Sequence, residues 1–141
     1  MTDAEYATMI VERLKMWVKV YPRISAVYVD SAAKLFRTAL REEMRRQGLN
    51  FTIVKSFNKA DGINARIELT CMLLMQGRYK VADHMSPWHE ALQMATWDEK
   101  AYEKGEWWRL DNGSYPVDTL DAAEYSYYPY AKYLETINRG L

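Results

Sequence analysis

The sequence predicts an α/β fold, in which parallel strands are covered by helices, and three observations predict it. The run Ile24-Ser25-Ala26-Val27-Tyr28-Val29 is apolar and partly β-branched, and it stops on Asp30. A continuous apolar run of this length suits a strand covered on both faces. Phe51-Thr52-Ile53-Val54-Lys55-Ser56-Phe57 is a second strand-like run, and between the two Ala33, Phe36, Leu40 and Met44 recur at helical spacing. Two strands joined by one helix form a βαβ unit, which is parallel and right-handed in nearly every case.

The other elements follow in order. Tyr6, Ile10, Leu14, Trp17, Val18 and Tyr21 mark an amphipathic helix over about residues 3 to 20, halted by Pro22. Ser31 is a natural N-cap for the second helix, and Gly48 ends it. After Asn58-Lys59-Ala60-Asp61-Gly62 a third helix is expected to turn Ile63, Ile67, Thr70, Cys71 and Leu74 inward and to stop at Gly77. Arg78 to Ala82 reads as a short strand, and Pro87 opens a helix to about Trp97. Charged residues 98 to 106, with Gly105, read as a loop; Trp107 to Leu110 then reads as a strand turned by Asp111-Asn112-Gly113. The last helix runs from about 118 to 137, and Pro129 inside it is expected to kink or divide it.

The 141 residues suffice for one compact domain. A hydrophobic content of 49% beside 27% charge is that of a globular chain rather than a disordered one. No apolar run is long enough to cross a bilayer, and no signal peptide is expected at the N-terminus. Cys71 is the single cysteine, so no internal disulfide forms and a reducing, cytoplasmic setting is expected. The formal net charge of zero neither favours nor excludes a polyanionic partner, because local clusters decide that.

The candidate chemistry lies in the acids. Asp30 falls where the first strand ends, and the carboxyl ends of strands are where ligands gather in open α/β sheets. Asp118 and Asp121, three apart, share a face near the start of the last helix. Should that end meet the end of the first strand, three carboxylates converge, and such oxygen-rich clusters hold Mg²⁺ or Mn²⁺ for hydrolysis of a phosphodiester. Each acid also has an ordinary reading: Asp118 behind Pro116 as a cap, Asp121 as a complement to the helix dipole, and Asp30 as a cap of the next helix. His84 and His89 fit no familiar metal spacing. Arg37, Arg41 and Arg45 form a four-residue stripe best read as a solvated helix face, and Tyr125 to Tyr133 read as packing. No P-loop is present.

Several pieces come in a telling order: Tyr28-Val29-Asp30-Ser31-Ala32, Lys59, Gly62 to Ile67, Gly77 to Val81, Trp97-Asp98, and Asp118-Thr119-Leu120-Asp121-Ala122-Ala123-Glu124-Tyr125. Across about residues 25 to 128 this order resembles the C-terminal nuclease domain of bacteriophage terminase large subunits, the DNA-packaging motor proteins. The resemblance implies an RNase H-like mixed sheet flanked by helices. It also implies an endonuclease that cuts concatemeric double-stranded viral DNA with Mg²⁺ or Mn²⁺. Carried across by position, Asp30 matches the second catalytic acid, Asp121 the last, and Asp118 an auxiliary metal ligand; Lys59 and Arg66 match positions near a DNA-facing loop. The implied partners are double-stranded DNA, an ATPase domain or chain, the small terminase subunit and the portal, in the cytoplasm of an infected bacterial host and without a membrane.

One departure qualifies the likeness. The family's first acid lies on a strand upstream of the helix leading to Asp30, whereas only that helix precedes Asp30 here, and Asp3 has no strand around it. The fold is therefore expected to be N-terminally incomplete, the latter part of a nuclease domain, with the edge of the Asp30 strand exposed. Such an edge invites self-association or pairing with another chain. The alternative function is a non-catalytic remnant or interaction module of the packaging machinery.

Overall fold

Thr2 and Glu5 start the first helix by a reciprocal cap: Glu5 N–H donates to Thr2 Oγ1 at 3.2 Å, and Thr2 N–H donates to Glu5 Oε2 at 2.7 Å. The Thr2 N–H, and the Thr2 hydroxyl that donates to the same oxygen at 3.1 Å, hold the Glu5 carboxyl below its usual range. The computed structural model describes residues 1–21, 23–56 and 62–136. The chain divides into two compact units, Met1–Asn58 and Lys59–Leu141.

In the first unit α1 (Asp3–Val20) and α2 (Lys34–Arg46) pack on a parallel pair, β1 (Ala26–Val29) and β2 (Thr52–Lys55), with Ala26 opposite Thr52 and Val29 opposite Lys55. Ala7 and Val11 of α1 meet Val29, Leu40 and Met44 in the core, with Ile53 and Phe51 at its margin. Alanine at position 7, with no exposed surface, leaves room for close helix approach. At its far end α2 closes with Gly48 at φ +71°, Gly48 N–H on Arg45 O and Leu49 N–H on Met44 O. This paired closure needs the left-handed residue that glycine supplies. The cap of α2 falls on Ala33, not Ser31, and no side chain bonds there.

The second unit is helical: α3 (Ile63–Met75), α4 (Ser86–Met94), α5 (Glu99–Tyr102), α6 (Val117–Tyr127), a 3-10 turn (Tyr128–Tyr130) and α7 (Ala131–Thr136). Its core gathers Ala91, Tyr115, Val117 and Leu120, with Trp88, Leu92 and Leu110 packed around them. The break between α6 and α7 falls on the turn containing Pro129, whose missing N–H cannot continue an α-helical ladder.

The expected RNase H-like mixed sheet is not what forms. Helices take 59% of the described residues, and the only sheet among these is the pair β1 and β2. Two strand-like stretches fail for identifiable reasons. Arg78 and Tyr79 turn their N–H groups back to Leu73 O, at 2.9 and 3.1 Å, and so spend locally the donors a ladder needs. Around Trp107 to Leu110 pairing stops at one antiparallel bridge, Trp97 with Arg109, because Asp98 caps α5 directly beyond it. That short helix stands where a loop is expected. The buried face of α3 is Arg66, Leu69, Thr70 and Leu73, while Cys71 and Leu74 are exposed, a rotation away from the expected face.

Candidate functional site

The most unusual chemistry in the second unit is four charged side chains inside it. Arg66 projects from the first turn of α3, Asp121 and Glu124 lie three apart on α6, and Arg109 comes from the residue bridged to Trp97. Their exposures are 0% for Arg66, 1% for Glu124, 4% for Asp121 and 9% for Arg109, so all four charges are largely withdrawn from bulk water. Arg66 Nε donates to Glu124 Oε2 at 3.0 Å, and Arg66 Nη2 sits 3.6 Å from Asp121 Oδ1. Arg109 Nη1 donates to the same Asp121 oxygen at 3.3 Å, and its Nη2 bonds Glu124 Oε1. Two cations and two anions close a neutral ring. Burial of the ions is tolerable only because each faces opposite charge.

Aromatic groups lie close to this ring. The Arg66 guanidinium stands 5.6 Å from the Tyr125 ring centre. Thr70 donates to Arg66 O at 2.8 Å and shares a hydrogen bond with the Tyr127 hydroxyl. Tyr127 meets Tyr79 edge to face, with ring centres 6.0 Å apart, and the Trp88 indole N–H donates to Tyr79 at 2.8 Å. Burial raises the pKa of both phenols. Beside them lies a 320 Å³ cavity, with Arg109 and Glu124 in its wall among Leu74, Leu92, Trp97 and Tyr127.

Asp121 therefore sits in a charge ring with Glu124, not beside Asp118. Although Asp118 is three residues away on the same helix, it is exposed in the first turn, with Pro116 at the cap position. Arg66, expected near a DNA-facing loop, has no exposed surface to offer a phosphate in this arrangement. Lys59 lies outside the described residues. Asp30 belongs to the first unit, directly after β1. Its Oδ1 accepts the Ala32 N–H at 2.6 Å, and its carbonyl accepts Arg37 Nη1 at 2.5 Å. Arg37 also reaches Ser31 O at 3.0 Å, so it is a buried brace of the β1–α2 turn rather than part of a solvated stripe.

As placed, these donors do not fit a Mg²⁺ or Mn²⁺ ion. A hard cation needs several oxygens to itself, whereas Asp121 Oδ1 faces two guanidinium groups. Among the described residues no three His, Cys, Asp or Glu side chains gather in a metal-sized group. Glu124 and Arg109 were not anticipated as site residues. Their signal was present: Asp121 and Glu124 fall on the α6 stripe shared with Val117, Leu120 and Ala123, and acids on a buried stripe require cations.

No family model, curated protein or solved structure matches the chain. No helix among the described residues is long and apolar enough to cross a membrane.

Proposed function

We propose that the chain works in bacteriophage DNA packaging, as a module of a large-terminase nuclease region that engages double-stranded DNA and packaging partners without cutting by itself. Asp121 carries both halves of this reading. By position it matches the family's last catalytic acid in the ordered series that begins at Tyr28-Val29-Asp30, and its carboxylate is committed to Arg66 and Arg109. The proposal rests on that series and not on a complete mixed sheet. The partners that follow from it are the ATPase part, the small subunit and the portal, in the host cytoplasm.

The second reading is the metal-dependent endonuclease, and the position of Asp30 favours it. This partly exposed acid stands at the carboxyl end of a parallel strand, where α/β proteins collect ligands. Supercoiled plasmid incubated with the chain and Mn²⁺ separates the readings. The interaction module leaves the plasmid supercoiled while shifting linear duplex in a gel. Nicking that disappears in both Asp30→Ala and Asp121→Ala establishes the nuclease instead. A chain that neither nicks nor shifts DNA removes the packaging assignment.

A further inference from the structure

The outer edge of β2 is open, and its direction follows from one hydrogen bond. Ser56 N–H donates to Val29 O at 2.8 Å, so residue 56 points its backbone toward β1. Backbone groups alternate along a strand, so Val54 also points toward β1, while the N–H and C=O of Ile53 and Lys55 point away. Among the described residues those four groups have no hydrogen-bond partner. Beside this edge is a 460 Å³ groove between α2 and β2, floored by Met44, Leu49, Phe51 and Ile53 and rimmed by Arg41 and Arg45. Neither arginine has a carboxylate partner among the described residues, in contrast to Arg46, which is paired with Glu43. Lys55 adds a third positive charge at the end of the strand.

We propose that β2 accepts an added strand from a partner protein, one with an apolar residue flanked at two-residue spacing by acidic residues on the same face. The partner backbone pairs with Ile53 and Lys55. Its apolar side chain enters the groove over Met44 and Leu49, and its acids meet Arg41 and Arg45. Charge selects this occupant over a second copy of the chain, because a two-fold pairing of β2 with itself sets Arg41, Arg45 and Lys55 against their own counterparts. The edge concerned is the one away from β1.

The test uses the whole chain and a fluorescein-labelled, end-capped peptide, Thr-Glu-Thr-Val-Thr-Glu-Thr, followed by fluorescence anisotropy. It is expected to bind about tenfold more tightly than the same peptide with lysine in place of glutamate. The double variant Arg41→Glu with Arg45→Glu is expected to reverse that preference. Lys55→Pro removes an outward N–H but none of the donors to β1, and it is expected to weaken binding well beyond Lys55→Gln. Circular dichroism of each variant establishes that it is folded. Equal binding of the two peptides, or binding of neither, overturns the proposal. So does a concentration-dependent dimer in sedimentation that Lys55→Pro abolishes, because a second copy is then the occupant.

Discussion

Arg66 Nε lies 3.0 Å from Glu124 Oε2, and neither side chain is more than 1% exposed. The pair joins the beginning of α3 to the second half of α6 through charges almost wholly removed from the protein surface. Removing one member strands the other, and a buried charge without its partner costs about 3–5 kcal/mol. Urea unfolding of Arg66→Ala and Glu124→Ala should show losses of that order. Arg66→Met combined with Glu124→Leu should lose less than the sum of the single changes, because it leaves neither charge of the pair behind. Strict additivity would show that the two residues do not interact.

Asp121 should behave as a structural acid. Asp121→Asn keeps the shape and removes the charge facing Arg66 and Arg109, so it should destabilise the chain by about 2 kcal/mol or more. Asp118→Asn, on the exposed first turn of the same helix, should change stability by less than about 0.5 kcal/mol. Parallel denaturation curves of the two variants make the comparison. Equal effects would place the two acids in equivalent surroundings.

Alkaline pH should loosen the chain through its tyrosines. Burial raises the pKa of Tyr79, Tyr115 and Tyr127 above the ordinary 10.0. The stability tied to these neutral phenols is fully present below pH 10 and is lost as pH rises toward the folded-state values, because the unfolded chain releases its protons first. Melting temperature should therefore fall as pH climbs past 10. Tyr127→Phe should flatten that fall while costing some stability near neutrality, through the lost hydrogen bond to Thr70. A variant with the same alkaline slope as the wild type would show that Tyr127 contributes nothing to it.

Gly48 should tolerate alanine poorly for backbone reasons alone. Its φ is +71°, and nothing lies within 4 Å of an added Cβ. The penalty is that of an L-residue in the left-handed region, about 1–2 kcal/mol. Gly48→Asn should cost less, because asparagine enters that region more readily. Equal losses for the two substitutions, measured by urea unfolding, would point to a side-chain clash instead.

Local rules made parts of the architecture legible. The spacing of Tyr6, Ile10 and Leu14 set the first helix, and its observed bounds, Asp3–Val20, match the expected 3 to 20. The β1–α2–β2 order was visible in two apolar runs around an amphipathic stripe, and the division of the last helix in Pro129. What local rules could not supply was partnership across the chain. In α3 hydrophobic residues lie on every side, so periodicity gave little reason to choose a face, and the pairing of Arg66 with residues 55 and 58 positions later decides it. The mixed sheet was inferred from resemblance, and too few stretches pair to build it. Of the candidate acids, the sequence marked Asp121 but not its company, since Arg109 and Glu124 acquire meaning only once folding brings them to it.

The claim that Asp121 serves the arginine ring rather than a cation is tested most directly by thermal unfolding of the wild type and of Asp121→Asn, each in EDTA and in millimolar Mn²⁺. The ring predicts a melting temperature that falls on substitution by the same amount in both solutions, and a wild type that Mn²⁺ does not stabilise. A wild type raised by Mn²⁺, with the rise absent from Asp121→Asn, would contradict it and return Asp121 to the metal.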